Sequence, residues 1–464
     1  MDIFYTMFTF IAFTFLALFL SICFIMITTF KGKSIGDPKY APVKGTVFNQ
    51  IFYYKKLHDY HTQLVKTHPT MRLLAPYLSE LYTIDVRNIE HVLKTNFDKY
   101  SKGKYNQDII TDLLGEGIFV VDGEKWKQQR KVASYEFSTR VLRDFSCSVF
   151  RKNTAKLVKV ISKFSQEGLH FDMQDLLMRS ALDSIFKVGF GIELNCLEGS
   201  SKEGIEFMKA FDESNAIIYW RYVDPFWSLK RFLNIGGEAK LKRNVKLIDE
   251  FMNGVIKSKK EQVILQQDSN VKEDILSRFL MESKKGETNI SDKYLRDIIL
   301  NFILAGKDSS ANTLSWFFYM LCKNPLVEEK IVQEIKDVTC SHENELDIDE
   351  FIEKLRDEIV DKMHYLHAAL TKTLRLYPII PIDGRTVDAY DVLPDGHKLE
   401  KGDAVYYLAY AMGRMSSIWG EDTEEFRPER WINEGIFQPE SPFKFVTFHG
   451  LPLNAIPRFR SHVK

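Results

Sequence analysis

The sequence predicts a mainly α fold with a small β-sheet domain, standing behind an N-terminal membrane anchor. Three observations carry that prediction. Residues 3–30 hold no charge, histidine, proline or glycine. Beyond Thr46, apolar residues recur at three- and four-residue spacing, with short turns and no internal repeat. Only the region around residues 390–408 reads clearly as strands, punctuated by Pro394-Asp395-Gly396 and Lys401-Gly402. At 464 residues the chain holds one large domain or two to three smaller ones. Hydrophobic residues at 45% and charged residues at 27% exclude wholesale disorder and low-complexity architectures. Lysine plus arginine equals aspartate plus glutamate at 63 each, and the basic residues are dispersed, so nothing draws the chain onto nucleic acid.

Each element follows in order. A spanning helix needs about 20 apolar residues, more than the core of a cleaved secretory signal, so residues 1–30 are expected to be a transmembrane anchor. Lys31, Lys33, Lys39 and Lys44 follow it and only Asp2 precedes it, which places the downstream chain in the cytosol and the N-terminus in the lumen. Pro38 and Pro42 make residues 31–46 a semi-rigid hinge. A single domain is expected over 47–448, without a linker to divide it. Residues 266–289 are polar enough for a surface region with a short amphipathic helix around 275–281. Residues 390–393 and 404–408 are expected to pair as a hairpin.

The most informative helix begins at the capping pair Ser291-Asp292 and stops at Asn324-Pro325, on the order of 45–50 Å at the usual rise. In its middle lies Ala305-Gly306-Lys307-Asp308-Ser309-Ser310. Glycine there costs about 1 kcal/mol against alanine, and a buried Asp308 needs a partner. Two readings stand: small residues that let a flat ligand lie on the helix beside a proton path, or a kink whose serines bond back to the previous turn.

Read with other stretches, this motif resembles the cytochromes P-450, the haem-thiolate monooxygenases, whose central helix carries Ala/Gly-Gly-x-Asp/Glu-Thr. Trp126 and Arg130 resemble the family's Trp-x-x-x-Arg helix, which touches the haem propionates, and Arg385 resembles a further propionate contact. Residues 370–378 resemble the Glu-x-x-Arg helix, and Phe426-Arg427-Pro428-Glu429-Arg430-Trp431 the Pro-Glu-Arg-Phe segment before the haem loop, which Phe448 would open. The hinge and residues 439–448 look closest to plant enzymes that hydroxylate fatty-acid chain ends. The resemblance implies haem as cofactor and electrons from NADPH through cytochrome P-450 reductase. It also implies an apolar substrate, a fatty acid hydroxylated at its chain end, and a single-pass place in the endoplasmic reticulum membrane with the catalytic domain cytosolic. Asp308 and Ser309 take the proton-delivery roles, and Trp126, Arg130, Ala305, Gly306, Arg385 and Phe448 the haem contacts. Ser309 stands for the usual threonine, and Lys307 falls at a variable position, expected as a surface or neighbour-pairing charge. Residues 106–119 correspond to the loop over the haem, and 207–232 to the helices roofing the substrate channel.

Two departures accompany the resemblance. Where the family has a glutamate facing two arginines, this chain reads Lys372, Arg375 and Arg430, so an attraction becomes a repulsion unless Lys372 turns to solvent. After Phe448 the family runs Phe-x-x-Gly-x-Arg-x-Cys-x-Gly; at that spacing this chain gives Leu451, Leu453, Ala455 and Pro457. The fold is therefore expected to be C-terminally truncated, with residues 449–464 a divergent tail, out of frame or from a retained intron or alternative exon. No other cysteine falls where the family places its iron ligand, so thiolate-ligated haem and activity are expected to be impaired; the alternative is a non-catalytic membrane-anchored relic. Other chemistries are poorly supported. His364 and His367 lack a third ligand or general base for zinc, Gly115-Glu116-Gly117 lacks the third glycine of a nucleotide loop, and no GxSxG elbow occurs.

Overall fold

In the computed structural model of the chain, the residues described are 2–33, 35–37, 39–76, 79–138, 140–265, 274–277, 280, 291–340 and 347–448. Helix α1 (Asp2–Phe30) opens the chain. Its few hydroxyls are satisfied within the helix: Thr9 donates to the Tyr5 carbonyl at 2.9 Å, Thr14 to Phe10 at 2.8 Å and Ser21 to Ala17 at 2.7 Å. Over Tyr5–Phe30 it is long and apolar enough to cross a membrane, with a mean hydropathy of 2.8. Its phenylalanines and leucines stand uncovered by protein, the arrangement that hydrocarbon accepts and water does not.

The chain forms two compact units, Met1–Gly103 with Pro381–Ile418, and Lys104–Ile380 with Trp419–Lys464. The first unit holds helix α2 (Leu57–Thr67) and a six-stranded sheet in the order β1-β2-β3-β8-β5-β4. These strands are β1 (Val43–Thr46), β2 (Thr70–Leu74), β3 (Ser79–Thr83), β4 (Tyr100–Ser101), β5 (Asp383–Val387) and β8 (Ala404–Tyr407). β2 and β3 pair antiparallel, whereas β3 and β8 run parallel. Every residue of β2, β3 and β8 is buried, and the buried Arg72 is held by Asp403 at 2.9 Å.

Two sequence expectations change here. β6 (Asp391–Val392) pairs with β7 (Lys398–Leu399), not with residues 404–408. Strand 404–407 exists but joins the larger sheet between β3 and β5, because all four of its side chains are buried and need cover on both faces. The far end of the expected hinge is likewise strand β1, parallel to β2; Pro38 lies outside the described residues.

The second unit is helical: α3 (Lys104–Leu114), α4 (Gly123–Ser138), α5 (Arg140–Gln166), α6 (Met173–Phe190), α7 (Lys202–Arg221), α8 (Gly237–Leu265), α9 (Asp292–Ile303), α10 (Ser309–Lys323), α11 (Pro325–Thr339) and α12 (His364–Leu376). Ser291 caps α9 by accepting the Tyr294 N–H at 3.2 Å, and Pro325 opens α11 after Asn324 ends α10, as read from the sequence. Between α9 and α10 the helix widens into a π-helical turn, Leu304–Asp308. Phe186, Phe207 and Phe211 are fully buried and pack with Phe251; the Phe207 and Phe251 rings lie 4.7 Å apart. Of the expected surface region 266–289, only 274–277 and 280 are described. Ile275 and Leu276, at the expected amphipathic helix, are buried in this core.

Candidate active site

The π-helical turn carries the motif that the sequence singled out, and such turns gather at functional positions. Gly306 faces α6: a Cβ there would stand 2.8 Å from Ile185 Cδ1, so the missing side chain is explained by helix packing. Ala305 is exposed, and the Ser309 hydroxyl donates back to the Ala305 carbonyl. Asp308 is half-buried and accepts from Asn215 Nδ2 at 3.3 Å. Of the two roles expected for Lys307, neighbour-pairing and surface charge, the structure shows the first, with the side chain buried. It has no exposed surface, and its Nζ reaches Asp308 and, on α7, Asp212, each at 2.6 Å. Met178 Sδ lies 3.8 Å from the same nitrogen. Burial raises the Asp212 carboxyl above the ordinary range, against the pull of Lys307. These groups border a cavity of about 400 Å³ lined in part by Met178, Met208, Asp212, Asn215, Asp308 and Asn312.

The same helix also holds residues that the sequence reading missed. Asp297 accepts the Glu116 N–H at 2.8 Å, and Asn301 accepts the Phe119 N–H at 3.0 Å while donating to the Leu114 carbonyl at 3.0 Å. Arg296 donates to the Leu113 carbonyl at 2.7 Å, and Gln129 on α4 to the Glu116 carbonyl at 2.8 Å. Gly115 and Gly117 are thereby accounted for. A Cβ on either would fall 2.0 Å from the Asp297 carboxylate or 1.8 Å from the Asn301 amide. Three polar residues among the otherwise apolar buried positions of α9 were the available signal.

Trp126 and Arg130 lie one turn apart on α4, the guanidinium 5.3 Å from the indole centre. One terminal nitrogen of Arg130 is buried without a hydrogen-bond partner among the described residues, and burial lowers its pKa. A carboxylate arriving there, such as a haem propionate, would satisfy it. Arg385, on β5 of the other unit, donates to the Gly384 carbonyl at 2.7 Å and Asp383 at 3.3 Å. Phe448 ends the turn Val446–Phe448, and Leu451 to Pro457 lie outside the described residues.

The iron side of such a group fares differently. Cys23 belongs to α1, Cys147 donates to Asp357 at 3.4 Å, and Cys322 and Cys340 are exposed at the ends of α10 and α11. Cys196 is buried, its thiol pushed up to about 12 by burial first and by Asp183 second, the wrong direction for a thiolate. No cluster of three metal-ligating side chains occurs among the described residues. Among the described residues, Arg130 could hold a propionate, and no cysteine stands at the family's ligand spacing after Phe448 in the sequence.

Lys372 does not turn to solvent. It is fully buried on α12, where burial first, then the charges of Arg375 and Arg430, lower its pKa to about 6. Arg375 donates to Thr423, through Oγ1 at 3.1 Å and through the carbonyl. Arg430 donates to the Trp419 carbonyl and to Asp422.

Comparison with known proteins follows the same lines. Residues 36–449 match the family described as Cytochrome P450. The chain is 50% identical over 423 residues to Cytochrome P450 704C1 of Pinus taeda, covering 89% of this chain and 82% of that protein. It is 40% identical over 447 residues to Cytochrome P450 704B1 of Arabidopsis thaliana, covering 90% and 85%. Cytochrome P450 86B1 of Arabidopsis thaliana is 42% identical over 392 residues, covering 82% and 70%.

Proposed function

The chain belongs to the cytochrome P450 family, and from that premise we propose a membrane-anchored P450 fold that has lost its own catalysis. Its inherited reaction is insertion of one oxygen atom from dioxygen into a C–H bond of an apolar substrate, a fatty-acid chain end. Electrons for it come from NADPH through cytochrome P-450 reductase at the endoplasmic reticulum membrane. The observation that carries the loss is Ala455: at the ligand spacing after Phe448 stands a methyl group, and none of the five cysteines takes its place. A sulfur donor is what favours O–O cleavage at the iron.

Support for the inherited reaction comes from the motif residues and from the relatives' shared sequence. Arg130 is the residue that would meet a propionate. Asp308 and Ser309 hold the positions of the family's proton-delivery pair, although here Lys307 and Asn215 engage the carboxylate and Ala305 the hydroxyl. The fold is retained well enough to bind an apolar ligand, which is the relic's remaining capacity.

A chimaera tests both halves. Residues after Phe448 are replaced by the corresponding segment of the Pinus taeda relative, and both proteins are incubated with reductase, NADPH and a labelled fatty acid. The chimaera is expected to release hydroxylated acid and the natural chain none. Product from the natural chain contradicts the loss, and a haem-loaded chimaera inert on every acyl chain contradicts the substrate class.

A further inference from the structure

Cations crowd one buried place in the helical unit. Lys372 and Arg375 lie one turn apart on α12, which packs against the short helix Pro428–Trp431 carrying Arg430. Lys372 has no exposed surface, and its Nζ makes no hydrogen bond; Nε of Arg430 also lacks a partner among the described residues. The carboxylate near enough to attract the lysine is Asp422, already bound by Arg430 and, at 2.6 Å, by Arg427. Glu429 pairs instead with Lys330 at 2.6 Å and with the Tyr365 hydroxyl at 2.8 Å. A buried donor without an acceptor costs about 1–3 kcal/mol, and more when charged. Lys372, Arg427 and Arg430 thus have Asp422 as their common carboxylate, and what the buried amine lacks is a negative acceptor of its own.

We propose that this cluster is a small-anion site, in which Lys372 Nζ and Arg430 Nε bind chloride or a monovalent ion of similar size. A monovalent ion is favoured over phosphate because the Lys372 amine it must reach is wholly buried, and desolvation penalises a dianion far more. Burial and the arginines hold the lysine near neutrality in the empty site, with Asp422 pulling the other way and Arg427 adding to the repulsion. An arriving anion therefore brings a proton with it: the amine becomes an ammonium as the anion binds, and charge balances. Affinity should fall about tenfold per pH unit once the solution is more alkaline than the empty site's own titration.

The full-length protein in detergent is melted in sodium chloride against sodium gluconate at one ionic strength, near pH 6 and near pH 8. Chloride is expected to raise the melting temperature saturably, with a smaller half-saturating concentration at the lower pH. Calorimetric titration in two buffers of different ionisation enthalpy, near the higher pH, should count close to one proton taken up per chloride bound. Lys372→Met should abolish both responses, and Lys372→Glu should melt highest and ignore chloride. Melting that follows ionic strength alone, binding without proton uptake, or a chloride response that survives Lys372→Met overturns the proposal. The proton count needs no variant, so misfolding of a mutant leaves the test intact.

Discussion

Lys307 has no exposed surface, and two carboxylates meet it, Asp212 and Asp308, at 2.6 Å each. Either acid alone can balance the ammonium. Asp212→Ala and Asp308→Ala are therefore each expected to cost about 1 kcal/mol, and the double variant about 3–5 kcal/mol because it strands a buried charge. Urea melts of the four proteins decide it, and simple additivity would contradict the shared-partner geometry. Lys372 presents the opposite case, a buried amine among arginines. Its folded pKa, about 6, lies far below the unfolded lysine value, so folding favours the deprotonated amine. Stability is then greatest in alkali and declines as pH falls from the unfolded pKa toward about 6, below which the loss is complete. In chloride-free buffer Lys372→Met should remove that slope and gain roughly 3 kcal/mol at neutral pH, seen in melts across the range. An unchanged slope would mean that Lys372 is not its source.

The central helix is the element whose reading came closest to the structure, and the reasons are local. Ser291 caps it by bonding within one turn, and Asn324-Pro325 ends it by removing the next donor. What the sequence did not reveal depends on distant partners. Gly306 meets Ile185 from α6, and Gly115 and Gly117 are flattened against Asp297 and Asn301, so their need for glycine lies some two hundred residues from the glycines themselves or in another helix. The hairpin was misread for a related reason: two-residue strands carry too little alternation to identify a partner, and β8 pairs with β3, more than three hundred residues earlier. Gly117→Ala should cost about 2–4 kcal/mol, since its Cβ would collide with the amide that holds the Phe119 N–H. Adding Asn301→Ala should recover part of that loss by opening space. A neutral Gly117→Ala would show that the loop does not lie against α9 as described.

For the molecule as a whole, the sheet unit, the helical unit and the apolar N-terminal helix are those of the family, and the anchor makes a claim of its own. Removing residues 1–30 should shift the protein out of the alkali-resistant membrane fraction; full retention there would assign membrane attachment to another surface. Family membership and helical architecture were legible because several motifs recur in order, each fixed by neighbours in the chain. Lys307's burial was not, because Asp308 is its chain neighbour but Asp212 comes from another helix, a meeting that the spacing of one sequence does not record. The central proposal is that this frame offers Arg130 to an incoming carboxylate but offers iron no sulfur. Its most direct test is the absorption spectrum of the full-length protein, purified with added haem, reduced and exposed to carbon monoxide. The account predicts no thiolate-type Soret band; the appearance of that band, lost again on substitution of one of the five cysteines, would contradict it.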